Sequence, residues 1–257
     1  MKLHTIPPAA TAVTALFAFM AITLSARAEL LVYEGFNYEV DATIAGKSGG
    51  SPVADYGWIG AWRFQSGKTG NENIIVAPTM THAGVVTTGN AAKFQRTLSR
   101  TLATPVGGVS AGTVWCGFFI RPSESKSAAT FIFSGSSTNL VVRFNNNGSF
   151  TGLTFGGQPT GLTGGTSKYF FLVRIDFGET GSTSYVWINP DLSGGEPSTD
   201  SAAATAEHTA PWSISSISMG TGAARYQEVD EIRIATTFRE AVRATAHVNP
   251  ATVVLLQ

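Results

Sequence analysis

Short alternations of apolar and polar residues, separated by Gly, Ser, Asn and Thr, run through the chain from Glu29 onward. An alternation with a period of two is typical of β-strands, because successive side chains point to opposite faces. No segment keeps apolar residues at i, i+3, i+4 and i+7 over several turns, which is the pattern of an amphipathic helix. The pattern predicts about ten to twelve short strands. Without intervening helices, these strands favour an all-β fold with two antiparallel sheets packed face to face.

Two segments, 113–122 and 168–178, are predicted strands, and the second is the strongest in the chain. Both faces of the first are mostly apolar, with Arg121 on one of them, so we expect it in the middle of a sheet whose outer face is also partly covered. In the second segment one face is apolar, whereas the other also carries Arg174 and Asp176. Full burial of a large apolar side chain is worth roughly 1.5 to 3 kcal/mol, so we expect the apolar face to anchor the sheet against its partner.

Turn and loop signals divide the rest of the chain. Asn145-Asn146-Asn147-Gly148 lies between two alternating runs, and Asn-Gly favours the positive φ angles of a tight turn, so this segment predicts a β-hairpin. Residues 191–210 are rich in Ser, Gly, Ala and Pro and predict a long surface loop. Residues 226–238 return to alternation and predict the closing strand.

The first 28 residues have the features of a secretory signal peptide. Lys2 precedes an apolar run from Ala9 to Leu24, and Ala26-Arg27-Ala28 supplies the small residues at which signal peptidase cuts. The run is shorter than the roughly 20 residues of a membrane span. We expect cleavage after Ala28, a secreted, periplasmic or cell-surface protein, and no stable membrane span after cleavage. The rest divides into one domain, 29–238, and a short tail, 239–257.

The charge balance limits the partners of the exported protein. Cleavage removes Lys2 and Arg27 from the 17 basic residues, which leaves 15 against 17 acidic residues. A nearly neutral protein lacks the basic surplus that draws nucleic acid, so no nucleic-acid partner is expected. The sequence leaves the oligomeric state open.

Nucleophile and cofactor patterns are missing from the sequence. Cys116 is the only cysteine and lies in an apolar run, which predicts a buried, inert thiol. Gly-x-Ser-x-Gly occurs at 46–50 and 108–112, but neither segment links a predicted strand to a helix, as a nucleophile elbow does. There is also no Gly-rich loop leading into a helix and no paired His or Cys spacing. No cofactor is predicted, apart from the calcium considered below.

The order of the segments resembles the concanavalin A-like lectin/glucanase superfamily, and within it the laminin-G-like domains of exported bacterial proteins. The similarity lies in LLVYEGFNY and GWIGAW near the start, TVWCGFFIRP, KYFFLVRIDFG with SYVWINP, and VDEIRIATTF at the end. It covers about residues 29–238 and implies a jelly-roll β-sandwich whose first strand pairs near its last. One fold hosts many functions, so the resemblance implies no particular activity.

Three aromatic residues near the start, Tyr56, Trp58 and Trp62, are candidates for carbohydrate contact. Aromatic faces stack on sugar rings, and three such residues close together would form a platform. The alternative is that the tryptophans are buried under a loop that folds over an edge of the sandwich.

Three arginines, Arg121, Arg143 and Arg174, are further candidates for carbohydrate contact. Each lies on the less apolar face of a predicted strand. If those strands are neighbours, the guanidinium groups would form a cationic stripe for an acidic polysaccharide. The alternative is that they are solvated or paired with acids such as Asp176.

A motif that resembles a hydrolase signature occurs at Glu228-Val229-Asp230-Glu231-Ile232. Laminarinase-type glycoside hydrolases place their acids as Glu-x-Asp-x-Glu, because alternate residues of a strand face the same cleft. Here Ile232 replaces the second glutamate, and Glu231 is expected to face the opposite side. We interpret Glu228 and Asp230 as strand-entry or turn residues, and no catalytic residue is assigned.

Calcium binding is left open, because laminin-G-like domains sometimes hold calcium with loop carboxylates. Asp55, Asp191 and Asp200 lie in predicted loops, but one sequence does not assign the ligands. The favoured function is a non-catalytic binding or surface-interaction module, with polysaccharide or another glycan as partner. A divergent glycoside hydrolase and a structural component of an envelope or extracellular assembly are the alternatives.

Overall fold

The computed structural model describes most of the predicted domain and the start of the tail. The described residues are 28–52, 57–64, 73–95, 97–109, 112–122, 129–135, 137–146, 151–162, 166–221 and 226–243. The predicted signal peptide, apart from Ala28, lies outside them, as do Asp55 and Tyr56. In the described part, no helix is long and apolar enough to cross a membrane.

Nine strands form one antiparallel sheet, called sheet A. Seven follow one another in the spatial order β14-β13-β12-β7-β16-β1-β2, while β5 also pairs with β16 and β4 pairs with β5. The strands are β1 (Leu30–Glu34), β2 (Ser51–Pro52), β4 (Ile74–Val76), β5 (Ala91–Phe94), β7 (Thr113–Pro122), β12 (Tyr169–Gly178), β13 (Gly181–Ile188), β14 (Ala204–His208) and β16 (Gln227–Ala235).

Seven further strands form the opposing antiparallel sheet, called sheet B, in the order β11-β10-β9-β8-β15-β6-β3. They are β3 (Trp58–Phe64), β6 (Leu98–Gly107), β8 (Ala129–Gly135), β9 (Asn139–Asn146), β10 (Thr151–Phe155), β11 (Gln158–Pro159) and β15 (Ser213–Thr221). The predicted all-β, two-sheet antiparallel sandwich is confirmed, and β1 pairs with β16 as the resemblance implies. The predicted strand number was too low, because it missed short strands such as β2, β4 and β11.

The main core lies between the inner faces of the two sheets. The predicted inner residues of β7 and β12 belong to it, and the Phe118 ring stacks on Phe131 of sheet B with centroids 3.9 Å apart. Cys116 is fully buried there, as predicted, and burial raises the pKa of its thiol. The alternation of β7 and β12 therefore predicted the packing face of sheet A correctly.

The outer face of sheet A carries a second apolar layer. Trp115 stacks on Trp187 with centroids 5.7 Å apart, and Phe119 and Phe170 lie beside each other on the same face. The loop 77–90 and a short helix, α1 (Phe238–Arg243), cover this layer. This cover agrees with the prediction that the outer face of the sheet around β7 is partly covered.

A glycine in β7 allows the helix to approach the sheet. A Cβ atom at Gly117 would lie 2.5 Å from the Ala241 carbonyl oxygen of α1, so only glycine fits at this crossing. Ala241 and Val242 are buried against the sheet. Helix α1 begins at Phe238, where the sequence analysis divides domain from tail, and that division stays a prediction.

Residues 191–210 differ from the predicted continuous loop. They contain a 3₁₀ turn, Thr199–Ser201, and the edge strand β14. Only Ala206 is buried in β14, so the strand lacks the large apolar residues that mark central strands. The strand pairing of the predicted hairpin is confirmed, because β9 and β10 pair antiparallel, whereas Asn147 and Gly148 of its predicted turn lie outside the described residues.

Candidate functional site

The tryptophans of the predicted platform are packed inside the sandwich edge. Trp58 is 9% exposed and Trp62 is 1% exposed. Their indole N–H groups donate to the Tyr33 carbonyl oxygen and to Glu34 Oε2, each at 3.0 Å. The structure thus places both residues as the buried alternative describes, and neither indole offers a free face to a sugar. The third platform residue, Tyr56, lies outside the described residues.

The two indoles surround a buried ion pair between the sheets. Glu34 Oε2 accepts hydrogen bonds from Arg100 at 2.8 Å and from Tyr38 Oη at 3.0 Å, in addition to Trp62. The Arg100 guanidinium lies over the Trp58 ring and donates to two backbone carbonyls. Burial raises the pKa of Glu34, and the donors around its oxygens oppose that rise. This cluster is internally satisfied and holds β1 against sheet B.

The three arginines do not form a common stripe, because they do not lie side by side on one sheet, and their contact with carbohydrate stays a prediction. Arg121 and Arg174 lie on the outer face of sheet A, but Arg143 belongs to β9 in sheet B. The register of β7 and β12 places Arg121 six residues from the position opposite Arg174, about 20 Å along the strands. Arg121 pairs with Glu228, and Arg174 pairs with Asp176 and Glu196. The two arginines of sheet A are therefore held by acids, as the alternative stated.

One row of polar side chains crosses the outer face of sheet A at its exposed end. The strand registers place Thr113, Asp176, Thr183 and Glu207 opposite one another on β7, β12, β13 and β14. Strands are about 4.8 Å apart, so the backbones that carry Asp176 and Glu207 are about 10 Å apart. Thr183 lies between the two carboxylates. This row combines acceptors and hydroxyl groups on one rigid surface.

The row opens into a cleft of about 440 Å³, called the β12–β14 cleft. Its lining comprises Asp176, Phe177, Gly178, Thr180, Gly181, Ser182, Thr183, Glu207, His208 and Thr209. The start of β13 packs closely against the end of β14 in this cleft, because a Cβ at Gly181 would lie 1.9 Å from the His208 carbonyl oxygen. The cleft therefore combines hydroxyl and carboxylate groups with exposed backbone at the edge of the sheet.

Hydrogen bonds fix the first carboxylate of the cleft. Asp176 Oδ1 accepts from Thr113 Oγ1 at 2.7 Å and from Arg174 Nε at 2.8 Å. Arg174 in turn lies over the Trp115 ring, 5.7 Å from its centroid, and its register partner on β13 is Tyr185. Tyr185 is half-buried and stacks on Trp187 at a centroid distance of 6.2 Å. A charged pair and a rigid aromatic ring therefore border the polar row.

The second end of the cleft holds His208. Its ring packs edge-on against Trp212 at 5.1 Å, and burial lowers its pKa. Its Nδ1 lies 3.4 Å from Thr138 Oγ1. The lowered pKa favours the neutral imidazole near neutral pH, so Asp176 and Glu207 set the charge of the cleft lining.

The acids of the closing strand are buried away from this cleft. Glu228 is 4% exposed and pairs with Arg121, while Asp230 is fully buried. A β-bulge between Asp230 and Arg233, with Glu231 at φ +54°, brings Glu231 to Arg233 on the covered outer side, where their atoms are 2.5 Å apart. The expectation that Glu231 faces the opposite side was therefore wrong, because the bulge interrupts the alternation.

Calcium ligands are not brought together in the described part of the chain. No group of three His, Cys, Asp or Glu side chains there is close enough to hold a metal ion. Asp191 accepts a hydrogen bond from the Ser193 N–H at 2.9 Å, and Asp200 lies in the 3₁₀ turn. Asp55 is outside the described residues, so calcium binding stays untested.

Solved structures similar to this chain include a glycosyl hydrolase, a β-glucanase and a lectin. A family 16 glycosyl hydrolase from Mycobacterium smegmatis has a TM-score of 0.44 and 11% identity, and the match covers 80% of this chain and 100% of that chain. The Bacillus licheniformis β-glucanase has a TM-score of 0.39 and 12% identity, and the match covers 79% of this chain and 96% of that chain. The winged bean acidic lectin in complex with methyl-α-D-galactose has a TM-score of 0.37 and 9% identity, and the match covers 79% of this chain and 97% of that chain. No model of a protein family matches the sequence, and no curated protein matches it either. Lectins and glucanases are the two kinds of protein that the sequence resemblance named. At these similarities the comparison carries no argument about chemistry, which depends on the residues of the cleft.

The sequence analysis named Arg174 but missed Thr183, Glu207 and His208. Two of these residues were missed because β14 was assigned to a loop. The alternation Ala204-Thr205-Ala206-Glu207-His208 was a usable signal, since its small apolar residues alternate with polar ones. The pairing of β14 with β13, which brings Glu207 opposite Thr183, is a long-range contact that local sequence does not encode.

Proposed function

We propose that this protein is a carbohydrate-binding module that holds a glycan in the β12–β14 cleft. The observation that carries the proposal is the row Thr113, Asp176, Thr183 and Glu207, which opens into that cleft. Sugars present several hydroxyl donors, and ionised carboxylates accept hydrogen bonds more strongly than neutral groups do. Backbone and side-chain acceptors at fixed spacing suit such a ligand.

Two further features of the cleft support binding. Asp176 is held in place by Thr113 and Arg174, so little side-chain freedom is lost when a ligand binds. Tyr185 lies two residues along β13 from Thr183 and is half-buried, so it provides an apolar border for a sugar face. The ligand therefore meets a rigid polar row with an aromatic border.

We expect the double variant Asp176→Asn/Glu207→Gln to weaken glycan binding by at least about tenfold, since hydrogen bonds to charged groups are worth roughly 1.5–3 kcal/mol. Soluble neutral polysaccharides and a glycan array identify the ligand, and calorimetry on that ligand gives the dissociation constants. Exposed Asp200→Asn is the matched control and should bind like the wild type. A glycan bound with equal affinity by the double variant would place the site elsewhere.

Glycoside hydrolysis is a second candidate because two carboxylates share the cleft. Inverting hydrolases separate their carboxyl groups by about 6.5–9.5 Å, which is within reach of side chains on strands about 10 Å apart. Release of reducing ends from the bound glycan, lost in Glu207→Gln, would favour the hydrolase. Binding without release favours the non-catalytic module.

A further inference from the structure

All carboxylates carried by strands of the sandwich belong to sheet A. They are Glu34, Asp176, Glu207, Glu228, Asp230 and Glu231. The seven strands of sheet B contain no aspartate or glutamate. Their charged residues are Arg63, Arg100 and Arg143, and Arg100 is buried against Glu34 on the inner side. The outer face of sheet B therefore has Arg63 and Arg143 as its only charges within the strands.

Small hydroxyl side chains form regular rows on this outer face. One row runs Ile59, Thr101, Ser216, Ser134 and Asn139, and the next runs Arg63, Ser99, Ser218, Ile132 and Val141. Thr101, Ala103 and Arg63 are exposed, and Ile59 is 58% exposed. By contrast, loop 77–90 and α1 cover the apolar layer on the outer face of sheet A, and this face is open at the β12–β14 cleft. The described part of sheet B thus offers an open surface of hydroxyl groups.

The two arginines lie at opposite sides of that surface. Arg63 is on the edge strand β3, and Arg143 is on β9, four strands away. At about 4.8 Å per strand they are separated by about 20 Å. Ser99, in the row of Arg63, and Thr130, in the row of Arg143, lie on strands between them. Both side chains are exposed, and no described carboxylate forms a salt bridge with either. An extended ligand could contact both.

We infer that the outer face of sheet B is a second binding surface, independent of the β12–β14 cleft, for an anionic polysaccharide that carries carboxylate or sulfate groups. Guanidinium groups match the planar geometry of carboxylates and bind them in bidentate fashion. Hydroxyl groups on this face, such as Ser99 and Thr101, donate to the sugar oxygens. The missing carboxylates remove the repulsion that such a polymer meets at the cleft.

The test measures binding to alginate, a polyuronate, and to dextran sulfate, with neutral dextran as reference, at 20 mM and 150 mM salt. We expect salt-sensitive binding to at least one polyanion that falls at least tenfold in Arg63→Gln/Arg143→Gln. The control Arg239→Gln/Arg243→Gln removes the same charge from the exposed side of α1 and should retain binding. The cleft variant Asp176→Asn/Glu207→Gln should retain it as well.

A gain-of-function variant keeps the test independent of folding losses. Thr101 is exposed on β6, the strand next to Arg63, so Thr101→Arg should strengthen binding to the same polyanion. Failure of the wild type to bind either polyanion, or equal binding by the Arg63/Arg143 variant, overturns the assignment. Equal arginine-dependent binding to double-stranded DNA also overturns it, because the surface would then select charge and not a polysaccharide. If the cleft variant loses neutral-glycan binding but keeps polyanion binding, the result concerns the cleft and not the second surface.

Discussion

Replacing Arg100 by Met lowers the free energy of unfolding by about 3–5 kcal/mol, because it leaves the Glu34 carboxylate buried without its countercharge. Glu34 is 1% exposed, and Arg100 donates to it at 2.8 Å. Tyr38 and Trp62 still donate to Glu34 but supply no positive charge. Urea denaturation monitored by tryptophan fluorescence measures the change.

The control for this substitution is Arg63→Met, on the exposed side of the neighbouring strand, which should change stability by less than about 0.5 kcal/mol. The double variant Arg100→Met/Glu34→Leu tests the cause. It should be more stable than Arg100→Met alone, because it removes the uncompensated charge. An Arg100→Met protein within 1 kcal/mol of the wild type would show that the surrounding hydrogen bonds alone stabilise Glu34.

The fold was predictable where alternation alone decides which face is buried. In β7 and β12 large apolar residues occupy both faces over ten positions, so the strands, their central place and their cover follow from the sequence. The prediction failed at β14, whose buried face is only Ala206. It also failed at Glu231, where a bulge and a positive φ angle interrupt the alternation. Local pattern does not encode bulges, because the partner strand fixes them.

The candidate site was less predictable than the fold. Arg174 was named from its place on the less apolar face, but its neighbours depend on which strands pair. Trp58 and Trp62 show the same limit, because the sequence pattern of an edge strand is the same whether its aromatic residues are buried or exposed. The acceptors of their indole N–H groups, the Tyr33 carbonyl oxygen and Glu34 Oε2, belong to a different strand. Composition gave the charge of the whole chain, whereas the segregation of acids to sheet A emerged only from the topology.

Asp230 gives the protein a stability that decreases as the pH rises. Burial, which contributes most, and the neighbouring Glu231 raise the pKa of Asp230 to about 9. Its Oδ1 accepts from the Glu231 N–H at 2.8 Å, while its Oδ2 is buried without a hydrogen-bond partner among the described residues. An ionised Asp230 would place a charge beside Glu231 in a site with one nearby guanidinium, that of Arg233. The folded protein therefore keeps this carboxyl protonated at neutral pH.

The sign of the pH dependence follows from proton binding. In the unfolded chain Asp230 ionises near its ordinary pKa of about 4, whereas the folded protein holds the proton up to about pH 9. The folded state thus binds more protons between these values, so the contribution is complete below about pH 4 and is lost as the pH rises towards 9. The loss amounts to about 1.4 kcal/mol per pH unit within that window.

We expect Asp230→Asn to remove this slope, because the amide keeps the acceptor for the Glu231 N–H and carries no titrating proton. The free energy of unfolding of the variant, relative to that of the wild type, should increase by about 1.4 kcal/mol for each pH unit between pH 5 and pH 8. Urea denaturation at each pH measures this difference. Exposed Asp200→Asn is the control and should differ from the wild type by a constant amount. A pH-independent difference for Asp230→Asn as well would mean that Asp230 is ionised in the folded protein, with Arg233 neutralising it despite the closer pairing to Glu231.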